Sequence, residues 1–287
     1  MRAHDAELIL DMTEGDYHAD PCETPSLSSS IAKVLLDKSA AHAYEAHPRL
    51  GGHPPESSDD MDDGTVLHKL LLGCGQSVCL VDADDWRTKA AREKRDEATA
   101  AGQLPMLRRR YDAIASAAER VSQNIRRLGF DLSAGVNEAS LLWREDSVHG
   151  TVRCRGRVDH LDAQSGLIVD LKKSRSAHPK ACERHVLEYG YHVSQAAYTR
   201  GVEAKFPALI GRTRFVFLFV ELFPPYAVTP AELGGALREL GERRWDEAVE
   251  SWAWCMSRNN WPAYTDRVVR LEAPPWALRD SGDAAAE

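Results

Sequence analysis

Three short runs constrain this chain more than anything else in it: EASLLWRE at 138–145, TVRCRGRVDHLD at 151–162 and GLIVDLKKS at 166–174. Their β-branched content, broken by Gly150 and by Ala163-Gln164-Ser165-Gly166, is that of successive strands. With Gln164-Ser165 as a two-residue turn, Asp162 faces Leu167 and Asp159 faces Asp170. Directly opposed residues have Cβ atoms roughly 4.5–5.5 Å apart. Strand alternation then gathers Arg157, Asp159, Asp170 and Lys172 on one face. Val158, Val169 and Leu171 turn to the other, which is the expected core.

Two carboxylates held face to face repel unless something compensates their charge. A divalent cation does so: carboxylate oxygens suit magnesium, which keeps several waters for substrate and nucleophile. Lys172, on the same face as Asp170, can orient a water or stabilise charge on a phosphate. These are the parts of metal-assisted phosphodiester hydrolysis. A D-x-K triplet alone is equally the pattern of a structural ion pair, and a one-residue slip would carry Asp170 to the wrong face.

The remaining sequence supplies helices. PSLSSSI at 25–31, followed by AKVLLDKSAAHAYEA, reads as one serine-capped helix with Leu27, Ile31, Val34 and Leu35 as its apolar stripe. Residues 48–63 form a breaker-rich loop, and GTVLHKLLLG at 64–73 a second capped helix. Helical stretches follow near 84–101 and 105–128, and again in HPKACERHVLEYG and YHVSQAAYTRGVEAKF. TRFVFLFVELF at 213–223 is an apolar strand ending at Pro224-Pro225, and a last long helix spans about 230–257. The order predicts an α/β fold, a mixed sheet flanked by helices. Residues 1–24 read as an N-terminal extension, 25–272 as one domain and 273–287 as a disordered tail.

No apolar run approaches the roughly 20 residues of a membrane span. The N-terminus lacks the basic start and long apolar stretch of a secretory signal, so a cytoplasmic location is expected. Cys22, Cys74, Cys79, Cys154, Cys182 and Cys255 form no CxxC and read as reduced thiols. A net charge of −8 argues against a sequence-independent DNA coat. Residues 87–127 nevertheless carry eleven Lys/Arg, Arg108 and Arg109 among them, against five Asp/Glu. That stretch is either a DNA track or the wet face of two helices. Trp252, Trp254 and Trp261 read as core or interface aromatics, having no basic interleaving around them.

Taken in order, GTVLH at 64–68, EASLLW at 138–143, GRVDHLD at 156–162, IVDLKKS at 168–174 and YGYHVSQAAY at 189–198 resemble the RecE-like exonucleases (exonuclease VIII) of phages and prophages. These belong to the PD-(D/E)xK superfamily, with lambda exonuclease and the RecB nuclease domain. TPSLSSSIAKVLL and CMSRNNWPAY extend the similarity toward both ends. The resemblance implies a restriction-endonuclease-like core in which Asp159 and Asp170 bind metal, the Leu171 carbonyl completes the shell and Lys172 is catalytic. His68 stands at a metal-ligand histidine and Glu138 at an acidic position near the metal. Gln195 and Tyr191 fall in a helix bordering the DNA, and Arg157, Lys173, Arg108 and Arg109 are further expected DNA contacts. Val158 replaces the signature proline, and Lys173 a usual threonine.

By the same resemblance the chain is a magnesium-dependent exodeoxyribonuclease, with manganese able to substitute. It would digest one strand, 5′ to 3′, from linear duplex ends for recombination. A toroidal homo-oligomer and a single-strand annealing protein as partner are implied by analogy. Two other readings compete. A Cas4-like or helicase-associated end-processing nuclease often carries clustered C-terminal cysteines, whereas here only Cys255 lies late. A DNA-binding protein with a vestigial site is opposed by the intact Asp159, Asp170 and Lys172.

Overall fold

The structure, a computed structural model, describes residues 3–53 and 58–274, so the expected tail beyond 274 lies outside the described residues. In chain order the elements are β1 (Ala3–Ile9), α1 (Glu14–His18), β2 (Leu27–Ser28), α2 (Ser29–Asp37), α3 (Ala40–Ala46), α4 (Asp59–Leu72), β3 (Val78–Val81), α5 (Lys89–Ala100), β4 (Leu104–Leu107) and α6 (Arg108–Arg127). The second half adds β5 (Val136–Ser147), β6 (Gly150–Asp162), β7 (Leu167–Lys173), α7 (Pro179–Glu188), α8 (Tyr191–Lys205), β8 (Arg214–Val220), β9 (Val228–Ala231) and α9 (Gly235–Arg258). None of the described helices is long and apolar enough to cross a membrane. All six cysteines are unpaired.

Side-chain caps set the helix starts. Ser28 accepts the Ile31 amide to begin α2, as the serine run predicts. The single helix expected after it is two, because Ser39 accepts the His42 amide and caps α3 afresh. Likewise α4 begins five residues before the expected Gly64: Ser58 accepts the Met61 amide, and Asp59, Asp60 and Asp62 place negative charge at the positive end of the helix dipole. The acidic run read as loop is therefore a first helical turn. β3 and β4, a separate parallel pair, were not expected: β3 lies between the helices read at 64–73 and 84–101, and β4 takes the start of the one read from 105. Runs of four residues, one containing Pro105, are too short to show a period.

The main sheet runs β1-β5-β6-β7-β8-β9, with β2 also paired to β6. Parallel β2/β6 and β7/β8 pairs among antiparallel ones make it mixed, as expected. β1, within the stretch read as an extension, pairs with β5 as an edge strand. The hairpin keeps the expected Asp162–Leu167 register. Its turn is wider than two residues: Asp162 accepts the amides of Gln164 and Gly166 around a four-residue loop.

Both faces of the sheet are packed, which corrects the single core face expected from alternation. Trp143, Leu141, Phe217, Trp245 and Trp252 centre one core beneath α2, α8 and α9. Val169, Leu171, Val216 and Leu218 join Leu67, Val121 and Ile125 of α4 and α6 in the other. Val158 enters the first core and not the second. Leu161 enters the first core too. Residues three apart on a strand share a face only where alternation breaks, and it breaks between them.

A buried charge network ties the segment before α2 to the sheet. Asp20 has a fully buried side chain, 3.2 Å from His47 Nε2 and 3.4 Å from Arg155 Nη1, and it accepts the Ser26 amide and hydroxyl. Burial works against its charge, but His47, Arg155 and Ser26 outweigh burial and hold the carboxyl down at about 2. A carboxyl below its unfolded value of roughly 3.9 adds stability above that value and loses it as pH falls toward 2, here about 2.5 kcal/mol. Urea denaturation of the wild type between pH 5 and about 2 should show this loss, and Asp20→Asn, starting from lower stability, should show less of it.

Candidate active site

The site lies where the sheet comes apart. β5 covers one edge of β6 along its length. The other edge is shared: β2 pairs with Cys154 and Arg155, and β7 with His160–Asp162. Residues 156–159 lie between those two ladders, so Asp159 and Asp170 are not a ladder pair as the hairpin reading expected. Instead the Leu171 amide donates to Asp159 Oδ2 at 2.6 Å. A carboxylate has taken the place of a backbone acceptor, and the strands splay around it. Opposite Asp159, Glu138 has φ of 50°, and the β5–β6 ladder passes from Asn137–His160 to Ala139–Val158 without pairing the two acids. This is the break in alternation, and it turns both carboxylates toward α4.

Helix α4 brings His68 to meet them. Its Nδ1 stands 3.6 Å from Glu138 Oε1 and 3.6 Å from Asp159 Oδ1, and its Nε2 donates to the Leu171 carbonyl at 3.1 Å. Burial disfavours the imidazolium, but the Asp159 and Glu138 carboxylates prevail and lift its pKa to about 9. One ligand atom from each of His68, Glu138 and Asp159 lies within 4.8 Å of the others. Two carboxylates and an imidazole nitrogen so arranged fit a divalent cation, whose charge would replace the proton that now compensates them. A cavity of about 210 Å³ opens beside them.

Asp170 lies outside that cluster, its Oδ2 2.5 Å from Lys172 Nζ. The lysine also reaches the Leu171 carbonyl at 3.4 Å and lies 5.1 Å from the centre of the Tyr191 ring. Burial opposes its charge, yet Asp170 and Asp159 hold it above the ordinary lysine range, so it is an ammonium at any working pH. Tyr191 is braced from beneath by Phe217, with ring centres 5.9 Å apart. Lys173 points away to α4, pairing with Asp60 at 2.7 Å and Asp63 at 3.2 Å, and so fixes the helix that carries His68.

The other expected contacts are more scattered. Arg157 lines the cavity, but its guanidinium donates to the Met12 and Thr13 carbonyls and covers Tyr17, 4.8 Å from the ring centre. Arg108 is paired with Asp82, Arg109 is exposed, and neither lines the cavity around His68. Gln195 lines a different cavity, of about 810 Å³, between α8 and α9, where its buried Oε1 has no partner.

Several residues at the site were not singled out in the sequence, although Thr65 and Tyr198 lie within the motifs at 64–68 and 189–198. Glu14, Tyr17 and His18 of α1 form one wall of the cavity, and Thr65, Gln76 and Tyr198 complete others. A five-residue helix in a polar N-terminal stretch has no periodicity to betray it. Tyr198 approaches because position 156 is glycine: a Cβ there would lie 2.9 Å from its ring.

Comparison with known proteins agrees with this architecture. The family described as "PDDEXK-like domain of unknown function (DUF3799)" matches residues 28–272. A crystal structure from Eubacterium rectale, described as a "putative exonuclease", superposes with a TM-score of 0.58 at 13% identity, covering 96% of this chain and 100% of that one. At that identity the likeness is one of fold. No curated protein matches the sequence. With Asp159, Asp170 and Lys172 at the split of a mixed, helix-flanked sheet and the family match spanning most of its length, the chain belongs to the PDDEXK-like DUF3799 family, with the restriction-endonuclease-like fold and nuclease character which that signature denotes.

Proposed function

We propose that this protein is a RecE-like, magnesium-dependent exodeoxyribonuclease that hydrolyses one strand, 5′ to 3′, from linear duplex ends. The observation that carries the reading is the convergence of His68, Glu138 and Asp159 within 4.8 Å of one another. It stands beside a lysine–aspartate pair at the Leu171 carbonyl. His68, through Nδ1, with Glu138 and Asp159 would hold the magnesium ion, while the Leu171 carbonyl accepts from Nε2 on the other side of that ring and orients it; manganese would serve in its place. When bound, such an ion polarises a phosphoryl oxygen and acidifies water.

The chain's own groups do the rest. Lys172, permanently charged, binds a non-bridging phosphate oxygen and stabilises the charge that grows there. Asp170 fixes its ammonium, which also lies over the face of the Tyr191 ring. The cavity beside His68, of about 210 Å³, adjoins a second of about 730 Å³, and the two share Glu14, His18, Glu138 and Arg157 as walls. Recombination beside a single-strand annealing protein, and assembly of copies into a ring on DNA, follow from the RecE-like part of the reading.

Digestion of linear duplex and covalently closed circular DNA, in magnesium and in EDTA, tests this. Linear DNA should shorten in magnesium only, leaving single strand, while closed circles survive. Cutting of closed circles would make the enzyme an endonuclease. Linear duplex left untouched in both magnesium and manganese would sink the nuclease reading and leave a DNA-binding protein.

A further inference from the structure

A second lysine reaches the active centre from a different element. Lys33 of α2 approaches the Tyr191 ring with its Nζ 5.8 Å from the centre, against 5.1 Å for Lys172. Its ammonium donates to the Ser194 hydroxyl at 3.3 Å, a neutral acceptor. Among the described residues no carboxylate lies within ion-pairing distance of it. The two lysines at 172 and 173 are both paired, one to Asp170 and the other to Asp60 and Asp63.

Such a cation is costly. A partly buried ammonium with no carboxylate in contact loses hydration that the Ser194 hydroxyl only partly returns. Burial, and then the like charge of Lys172, outweigh the attraction of the Asp170 and Asp37 carboxylates and bring its pKa down to about 8. The fold nonetheless secures it. Gly190 has φ of 61°, and a Cβ there would lie 2.7 Å from Lys33 Cδ, so the turn before α8 is shaped to let the lysine stem pass. A charge maintained at that cost beside a reacting centre, and not neutralised within the protein, is the mark of a group whose counter-charge arrives with a ligand.

We propose that Lys33 and the Ser194 hydroxyl form a second phosphate subsite beside Lys172, taking a non-bridging oxygen of a phosphate in the strand being cut. The subsite rests on the nuclease reading above. The phosphate has two possible sources, the 5′-terminal monoester or an internal diester, which share one chemistry.

The test is equilibrium binding of short DNA strands to the full chain in EDTA, where no cleavage intervenes. Wild type, Lys33→Met and Lys33→Arg are compared by fluorescence anisotropy at several salt concentrations, with 5′-phosphoryl and 5′-hydroxyl strands, and each is melted without DNA. Loss of one charge-assisted contact should weaken binding by Lys33→Met roughly tenfold to a hundredfold. The slope of log affinity against log salt should fall by about 0.7. Lys33→Arg should stay within a few-fold of wild type. Without DNA, Lys33→Met should melt no lower than wild type, since it relieves an uncompensated charge. A drop confined to 5′-phosphoryl strands assigns the terminal monoester, and an equal drop on both assigns the internal diester.

Unchanged affinity and salt slope in Lys33→Met would overturn the subsite. So would failure of that variant to fold or a clear fall in its Tm, because a lysine awaiting a ligand is dispensable for folding. Wild-type cleavage, assayed separately in magnesium, keeps this outcome distinct from failure of the nuclease reading.

Discussion

Lys172→Ala should slow hydrolysis of linear duplex by roughly 10²–10³-fold, the usual cost of removing one preorganised donor to a developing charge. The ammonium is set by three contacts, to Asp170, the Leu171 carbonyl and the Tyr191 ring. Stability should respond differently. Asp170 is buried, and removal of its counter-ion leaves a carboxylate that regains neutrality by taking up a proton. The variant should therefore fold. Initial rates and melting temperatures on the same preparation check both halves; full activity in Lys172→Ala would remove the lysine from the mechanism. Asp159→Ala is expected to lose activity and also stability, because Asp159 supplies both a cluster atom and the acceptor for the Leu171 amide.

The largest loss of stability should come from a residue far from that chemistry. Glu145 is fully buried, and its Oε1 accepts both indole N–H groups of Trp143 and Trp245 at 3.1 Å. Its Oε2 stands 3.4 Å from Arg200, which also meets Asp246 at 2.7 Å and Glu242. The carboxylate thus joins β5, α8 and α9 at the centre of the first core. Glu145→Ala leaves two buried indole donors unsatisfied and opens a cavity, an expected cost of about 3–5 kcal/mol. Glu145→Gln keeps an acceptor and should cost about 1–2 kcal/mol. Urea midpoints separate the two, and equal midpoints for Glu145→Ala and wild type would contradict this account of the core.

What was legible in the sequence was local. Strand composition gave β5, β6 and β7 and the Asp162–Leu167 register. The order of motifs singled out His68, Glu138 and Leu171, which the fold brings to one place. The splay was hidden, since it depends on Asp159 taking the Leu171 amide and on the positive φ of Glu138. Alternation assumes an unbroken ladder and so put Val158 on the wrong face. Lys173 looked like an unexplained departure because its partners, Asp60 and Asp63, stood in a run read as loop. Lys33 was one letter in a helical pattern, and only the packing of α2 against α8 reveals that it lacks a counter-ion.

The most direct test of the central claim is release of nucleotides from linear duplex by the wild type, with Asp159→Ala beside it, as magnesium is added to metal-free protein. Activity should rise from nothing with magnesium in the wild type, be abolished by EDTA, and be absent from the variant at every concentration. Magnesium-independent release, or equal release by Asp159→Ala, would contradict a metal-dependent centre built on His68, Glu138 and Asp159.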